Sequence, residues 1–153
     1  MKTILLTLVL LVGCAPASSE PAHAPDDARW ASVLRTLDAA RARAFVRGDP
    51  SLLDRVYAPG SAVRRADADL IEKYARRGLH LDAVPMRVRD VEVAARTDGR
   101  VRLRVVDRLG RVRVREDAGP WRTLPDDRPS EHLIALRRVD AGWRITAISR
   151  VAG

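Results

Sequence analysis

Two periods divide the chain. Between Asp27 and Gly78 apolar residues recur every three to four positions, and from Val84 to Val151 they alternate with polar ones. These are the patterns of amphipathic helices and half-buried strands. The first helix is expected to start after Asp26 or Asp27, either of which can cap it. Trp30, Val33, Leu34, Leu37, Ala44 and Phe45 then share one face, and Arg35, Arg43 and Arg47 point away. Gly48 supplies the stop. Asp49-Pro50 restarts a short helix, with the aspartate as cap and the proline where its missing N–H costs nothing. Leu52, Leu53, Val56 and Tyr57 form its buried side, and Pro59-Gly60 ends it. A third helix is predicted from about Arg65 to Arg77, with Leu70, Ile71, Tyr74 and Ala75 as its stripe.

The strand half begins with Met86 and Val88 between Arg87 and Arg89. Asp90 breaks the register, and Val91 and Val93 resume on shifted parity, which predicts a bulge. Asp98-Gly99 marks a tight hairpin. Val101, Leu103 and Val105 alternate with Arg100, Arg102 and Arg104. A turn around Arg108-Leu109-Gly110 is expected to lead into a neighbouring strand holding Val112 and Val114 between Arg111, Arg113 and Arg115. Ala118 to Pro129 reads as a long loop with a short strand near Trp121. His132 to Arg138 and Trp143 to Val151 are the last two strands, joined by a turn at Asp140-Ala141-Gly142.

Helices followed by hairpin-linked strands give an α+β fold. The N-terminal helices should pack on one face of a curved antiparallel sheet of four to five strands. That face carries Val101, Leu103, Val105, Val112, Val114, Trp143 and Ile145. The element order, the Asp49-Pro50 restart and the closing Gly142-Trp143-Arg144-Ile145 strand resemble the nuclear transport factor two-like, cystatin-like group of cone-shaped domains. The resemblance spans roughly Asp27 to Val151. It implies a helix-lined cone with an interior pocket, in which an Asp or His works with a Tyr in the group's enzymes.

Ahead of the domain, Lys2 precedes an apolar run from Ile4 to Val12, closed by Gly13-Cys14. The run is shorter than the ~20 residues a bilayer span requires and has the size of a signal-peptide core. Leu11-Val12-Gly13-Cys14 resembles the lipobox of bacterial lipoproteins, in which a peptidase cuts before a lipidated cysteine. The resemblance implies a signal peptide over 1–13, a lipidated Cys14 and tether over 14–27, and a single domain over 28–153. It also implies a place on the outer side of the cell membrane. Cys14 is the chain's one cysteine, so no intramolecular disulfide can form, and lipidation accounts for the lone thiol. Ala15 to Asp27, rich in Pro, Ser and Ala and including His23, reads as a solvated tether. Fully extended it would reach about 40 Å.

Formal net charge is +8, and all but two of the basic residues are arginine. Such a balance favours anionic partners, although an arginine- and alanine-rich composition also follows from a GC-rich genome. Arg100, Arg102, Arg104, Arg111, Arg113 and Arg115 are expected on one polar face of two neighbouring strands, where like charges repel. Glu92, Glu131, Glu116 or Asp107 can offset them, or an anionic envelope surface can. Domains of the resembled group often dimerise through the open sheet face; an arginine-covered face argues against that mode, so a monomer is expected.

Interior polar residues are the other candidates. His132 shares parity with Ile134 and Leu136, and Tyr57, Trp121, Tyr74 and His80 are candidates for the mouth of the cone. Tyr57, His132 and Trp121 are taken as the pocket set. No aspartate is read at an inward strand position, and His80 and Asp82 are placed together on a loop. The histidines are too scattered to bind metal, no serine sits in a nucleophile-elbow glycine pattern, and no phosphate-binding or dinucleotide fingerprint is present. Aromatic residues are only 4% of the chain, which leaves few platforms for stacking bases. The sequence therefore predicts no cofactor, metal, nucleic-acid partner or catalytic residue. It predicts a membrane-anchored, non-enzymatic accessory module for an envelope protein or polymer, with a small-ligand or degenerate enzyme pocket as the alternative and charge-driven docking as the second.

Overall fold

The computed structural model describes residues 24–151; the leader, Cys14 and His23 lie outside them. Helix α1 runs Ala24–Arg47, a 3-10 helix Pro50–Arg55 follows, and α2 spans Ala62–Arg76. The strands are β1 Leu79–Leu81, β2 Met86–Thr97, β3 Arg100–Leu109, β4 Arg113–Glu116, β5 Arg122–Thr123, β6 Ser130–Val139 and β7 Gly142–Arg150. The fold is α+β, with helices first and two antiparallel sheets after them. The four-stranded sheet has the order β2-β3-β6-β7, and the three-stranded sheet β1-β4-β5.

Local chemistry sets the helices. Asp26 and Asp27 sit in the first turn of α1, where acids complement the helix dipole, and Asp26 also meets Arg96 at 2.9 Å. The helix begins at Ala24, so the last residues assigned to the tether are helical. Gly48, at φ +65°, takes the left-handed position after Arg47. Asp49 caps the next element as expected, accepting from the Ser51 amide at 2.9 Å. That element is a 3-10 helix. Ser61 caps α2 by accepting from the Arg64 amide at 3.3 Å, so α2 starts three residues before the expected Arg65.

The sheet departs from expectation in one important pairing. The Asp98-Gly99 turn joins β2 to β3, with Thr97 opposite Arg100 and Gly99 at φ +75°. The register shifts at Val88/Asp90, as the parity change predicts, and again at Val93/Ala95. The strand after Gly110, however, does not return beside β3. It pairs with β1 over Leu79 to Leu81, while β3 takes β6 as its second neighbour. His80 thus lies in a strand rather than a loop. A further irregularity at Ala135/Leu136 sets both Ile145 and Ile148 of β7 among the residues lining the interior.

The core lies between α1, the 3-10 helix, α2 and the large sheet. Trp30, Leu53, Val56, Leu103 and Val105 are fully buried there, with Tyr57, Ile71 and Leu136 almost so. Residues 56–58 dock in parallel on β7: the Ala58 amide donates to Ile145 O, and the Ile145 amide donates to Val56 O, each at 2.9 Å. This covers part of a sheet edge and delivers Tyr57 to the interior.

Candidate functional site

A cavity of about 240 Å³ opens between the helices and the large sheet. Its walls are mostly apolar, with Leu34, Leu37, Val56, Val63, Met86, Val88, Val105, Ile134, Ile145 and Ile148 among the lining residues. Asp38, Arg41, Tyr57, Asp67, Asp107 and His132 converge on it. A largely apolar recess with a few convergent polar groups is the usual form of a small-molecule site.

The polar groups arrive from buried helical stripes and from the inner face of the sheet. Arg41 and Asp38 follow Leu37 and Leu34 by four residues on α1, on the buried stripe. Asp67 follows Val63 and precedes Ile71 by four on α2, in the same way. Asp107 continues the inward series Val101, Leu103, Val105 of β3. His132 lies opposite Val105 on β6, so Asp107 and His132 are diagonal neighbours on the inner face.

Two clusters result. In the first, Arg41 Nε donates to Asp67 Oδ2 at 2.6 Å and Nη2 to Oδ1 at 2.9 Å, a two-pronged contact. The Tyr57 hydroxyl donates to the same Oδ2 at 2.5 Å and receives a 3.2 Å contact from Arg41 Nε. Burial opposes the charge on Arg41, but the bonds to Asp67 outweigh it and hold the guanidinium more firmly protonated than usual. Burial, reinforced by Asp67, pushes the Tyr57 phenol up against the opposing pull of Arg41. The phenol therefore stays a neutral donor.

The second cluster is acidic. Asp38 Oδ2 accepts from the Met86 amide at 3.0 Å. Asp107 Oδ1 is 3.2 Å from His132 Nδ1, within ion-pair range, but the alignment does not make a hydrogen bond and Oδ1 is buried without one. Burial raises both carboxyls above the usual range, with the Asp107 charge adding to the rise for Asp38 and the Asp127 charge adding to it for Asp107. The His132 contact pulls the other way on Asp107. Stability from a carboxyl raised in this way is complete below the unfolded pKa of about 4 and declines as pH climbs through the folded value. The Tm of Asp107→Asn relative to the unaltered protein should therefore move in the variant's favour as pH rises above about 4. Thermal unfolding across pH 4–8 checks this; a difference that stays flat would show that the carboxyl titrates alike in both states.

The structure corrects several expectations. Tyr57 and His132 line the cavity, but Trp121 does not. It is 38% exposed, with the Arg113 and Arg115 guanidinium carbons 5.5 and 4.9 Å from its ring centroid. Tyr74 and His80 are also absent from the lining. Asp82 bonds Arg113 at 2.6 Å, away from His80, which faces Arg115 across the small sheet. The expectation of no inward aspartate fails at Asp107, whose parity matches Val105.

The six arginines do not share two neighbouring strands. Arg100, Arg102 and Arg104 are on β3 of the large sheet, Arg113 and Arg115 on β4 of the small one, and Arg111 precedes β4. Arg104 is offset by Glu131 at 2.5 Å and Glu92 at 3.9 Å. Asp107, proposed as another offset, faces inward instead. Among the described residues no group of three metal-ligating side chains comes together, and no helix is long and apolar enough to cross a membrane.

Arg41, Asp38 and Asp67 were not singled out from the sequence. The signal that marks them is a charged residue interrupting an apolar stripe, a position where charge is rarely tolerated without a partner.

No family model matches the chain, and no curated protein matches it. Solved structures do. The chain is similar to the intermembrane space region of the chloroplast protein ARC6, with a TM-score of 0.57 and 20% identity over 83% of this chain and 98% of that one. It is also similar to a Mycobacterium tuberculosis protein of unknown function, with a TM-score of 0.52 and 17% identity over 83% and 75% of the two chains. A third neighbour, from Novosphingobium aromaticivorans, is described as an ntf2-like protein with a cystatin-like fold; the TM-score is 0.46 and the identity 20%, over 80% and 84%. At these identities the likeness is one of fold. The first two define the class by fold alone: an α+β domain in which helices are followed by antiparallel sheets.

Proposed function

We propose that this protein is a bacterial lipoprotein, held on the outer side of the cell membrane through Cys14, whose domain binds a small molecule in its interior cavity. The observation that carries the binding reading is the convergence of Asp38, Asp107, His132, Arg41, Tyr57 and Asp67 on one apolar recess. Arg41, Tyr57 and Asp67 partner one another, but Asp107 Oδ1 is buried without a hydrogen bond, a cost in stability that a ligand meeting it would offset. The anchor rests on Leu11-Val12-Gly13-Cys14 after the apolar run. Two or three acyl chains, each methylene adding about 0.8 kcal/mol on burial, would make attachment stable. Tethering keeps the pocket at high local concentration beside an envelope partner.

The pocket is read as one that binds without turnover, because the phenol and the guanidinium are both committed to Asp67. The Asp107–His132 contact favours a second reading, in which two groups able to exchange a proton make the pocket an acid–base site. Turnover of any bound compound, lost in both His132→Gln and Asp107→Asn, would select that second reading.

Two experiments test the proposal. Expressed as the full chain in a bacterial host, the protein should fractionate with membranes and yield an acylated peptide beginning at Cys14, and Cys14→Ala should release it. An unmodified Cys14, or a Cys14→Ala protein that stays with membranes, ends the anchor reading. Separately, one-ring aromatic fragments, tested in cationic, neutral and anionic forms, should include binders that shift the amide resonances of Val105, Ile134 and Ile148. The cavity-filling Val63→Phe should abolish those shifts; fragments that leave the cavity amides unmoved end the pocket reading.

A further inference from the structure

The polar groups of the cavity are not equivalent. Tyr57 gives its hydroxyl proton to Asp67, and Arg41 gives Nε and Nη2 to the same carboxylate. The positive charge of Arg41 is therefore already matched by Asp67. What remains open is acidic. Asp107, 6% exposed, keeps Oδ1 buried with no hydrogen bond. Asp38 spends one oxygen on the Met86 amide. Both carboxyls line the cavity beside His132, and around them stand Leu34, Met86, Val105 and Ile148.

From this asymmetry, and resting on the pocket reading above, we infer that the cavity takes a small primary amine, its ammonium held at Asp38 and Asp107 and its apolar body against the surrounding aliphatic side chains. An ammonium brings three donors and a compact positive charge, and the uncommitted groups are carboxylate acceptors. A buried carboxylate oxygen without a hydrogen bond carries a desolvation penalty, which the incoming N–H groups reduce. An anionic ligand would meet two carboxyls at close range and find the Arg41 fork occupied. The cavity volume of about 240 Å³ lies below the common range for drug-sized ligands, roughly 300–1,000 Å³, and limits the body to about one ring.

Benzylamine, benzyl alcohol and benzoate share this body and differ in the polar end. Titrated into the isotopically labelled protein, benzylamine should saturate shifts at the Val105, Ile134 and His132 amides. It should bind at least about tenfold more tightly than benzyl alcohol, because only the ammonium sets a full positive charge against the two carboxylates. Asp107→Asn and Asp38→Asn keep the shape and should each weaken benzylamine about tenfold or more, and weaken benzyl alcohol, which carries no charge to lose, by clearly less.

If benzyl alcohol or benzoate binds as tightly as benzylamine, or if the two Asn variants leave benzylamine affinity intact, the amine assignment is overturned and the pocket stands. If none of the three moves the cavity amides, the pocket reading falls with it.

Discussion

Asp67→Ala should cost about 3–5 kcal/mol of folding stability, the range found when one partner of a buried ion pair is removed. The Asp67 side chain is 11% exposed and that of Arg41 24%, so water screens neither well. Asp67 accepts both prongs of Arg41 and the Tyr57 hydroxyl. Its loss strands a guanidinium and a phenol together inside an apolar recess. Urea unfolding at pH 7 should show a lower midpoint with little change in slope. Replacing both partners by apolar residues, Arg41→Met with Asp67→Leu, should recover most of the loss, because no charge is then left buried. A loss below about 1 kcal/mol in the single variant would show that the pair behaves like an exposed one.

The second large effect is expected at Trp30. Its side chain is fully buried and meets Trp143 edge-on, with ring centroids 4.9 Å apart and planes at 77°. Trp30→Ala should cost about 3–5 kcal/mol through lost transfer energy and the void left behind. The aromatic pairing itself contributes about 0.5–1.5 kcal/mol of this, measurable as the coupling in a double-mutant cycle with Trp143→Ala. Trp30 does not line the cavity, so ligand binding by the folded fraction should survive. A variant that keeps its stability would mean that neighbouring side chains collapse into the vacated space. A variant that loses binding while still folded would mean that the α1 end of the core positions the site.

The contrast between these two residues shows where sequence reading succeeds. Trp30 is legible because a large apolar residue on a helical stripe has one sensible destination. Asp67 occupies the same kind of position, four residues from Val63 and from Ile71, yet its charge suggests solvent. Only a partner makes that burial tolerable, and the partner, Arg41, is 26 residues away on another helix. Asp107 was legible by parity alone, as the next inward residue after Val105. Its chemistry was not, since its character comes from burial and from His132 on β6.

The sequence by itself determined the order of elements apart from β1, the switch from helical to strand period, the Asp49 cap, the Asp98-Gly99 hairpin and the bulge after Val88. All of these depend on neighbours within a few residues, where backbone preference and side-chain period act directly. Tertiary structure decided that β3 pairs with β6 and not with β4, that the arginines divide between two sheets, and that Trp121 stands outside the cavity. It also brought Asp38, Arg41, Asp67, Asp107 and His132 into one recess. Those outcomes turn on which distant segments meet and in which register, and a shift of one residue along a strand sends every side chain to the opposite face. Local pattern carries no record of that choice; the packing of helices on the sheet makes it.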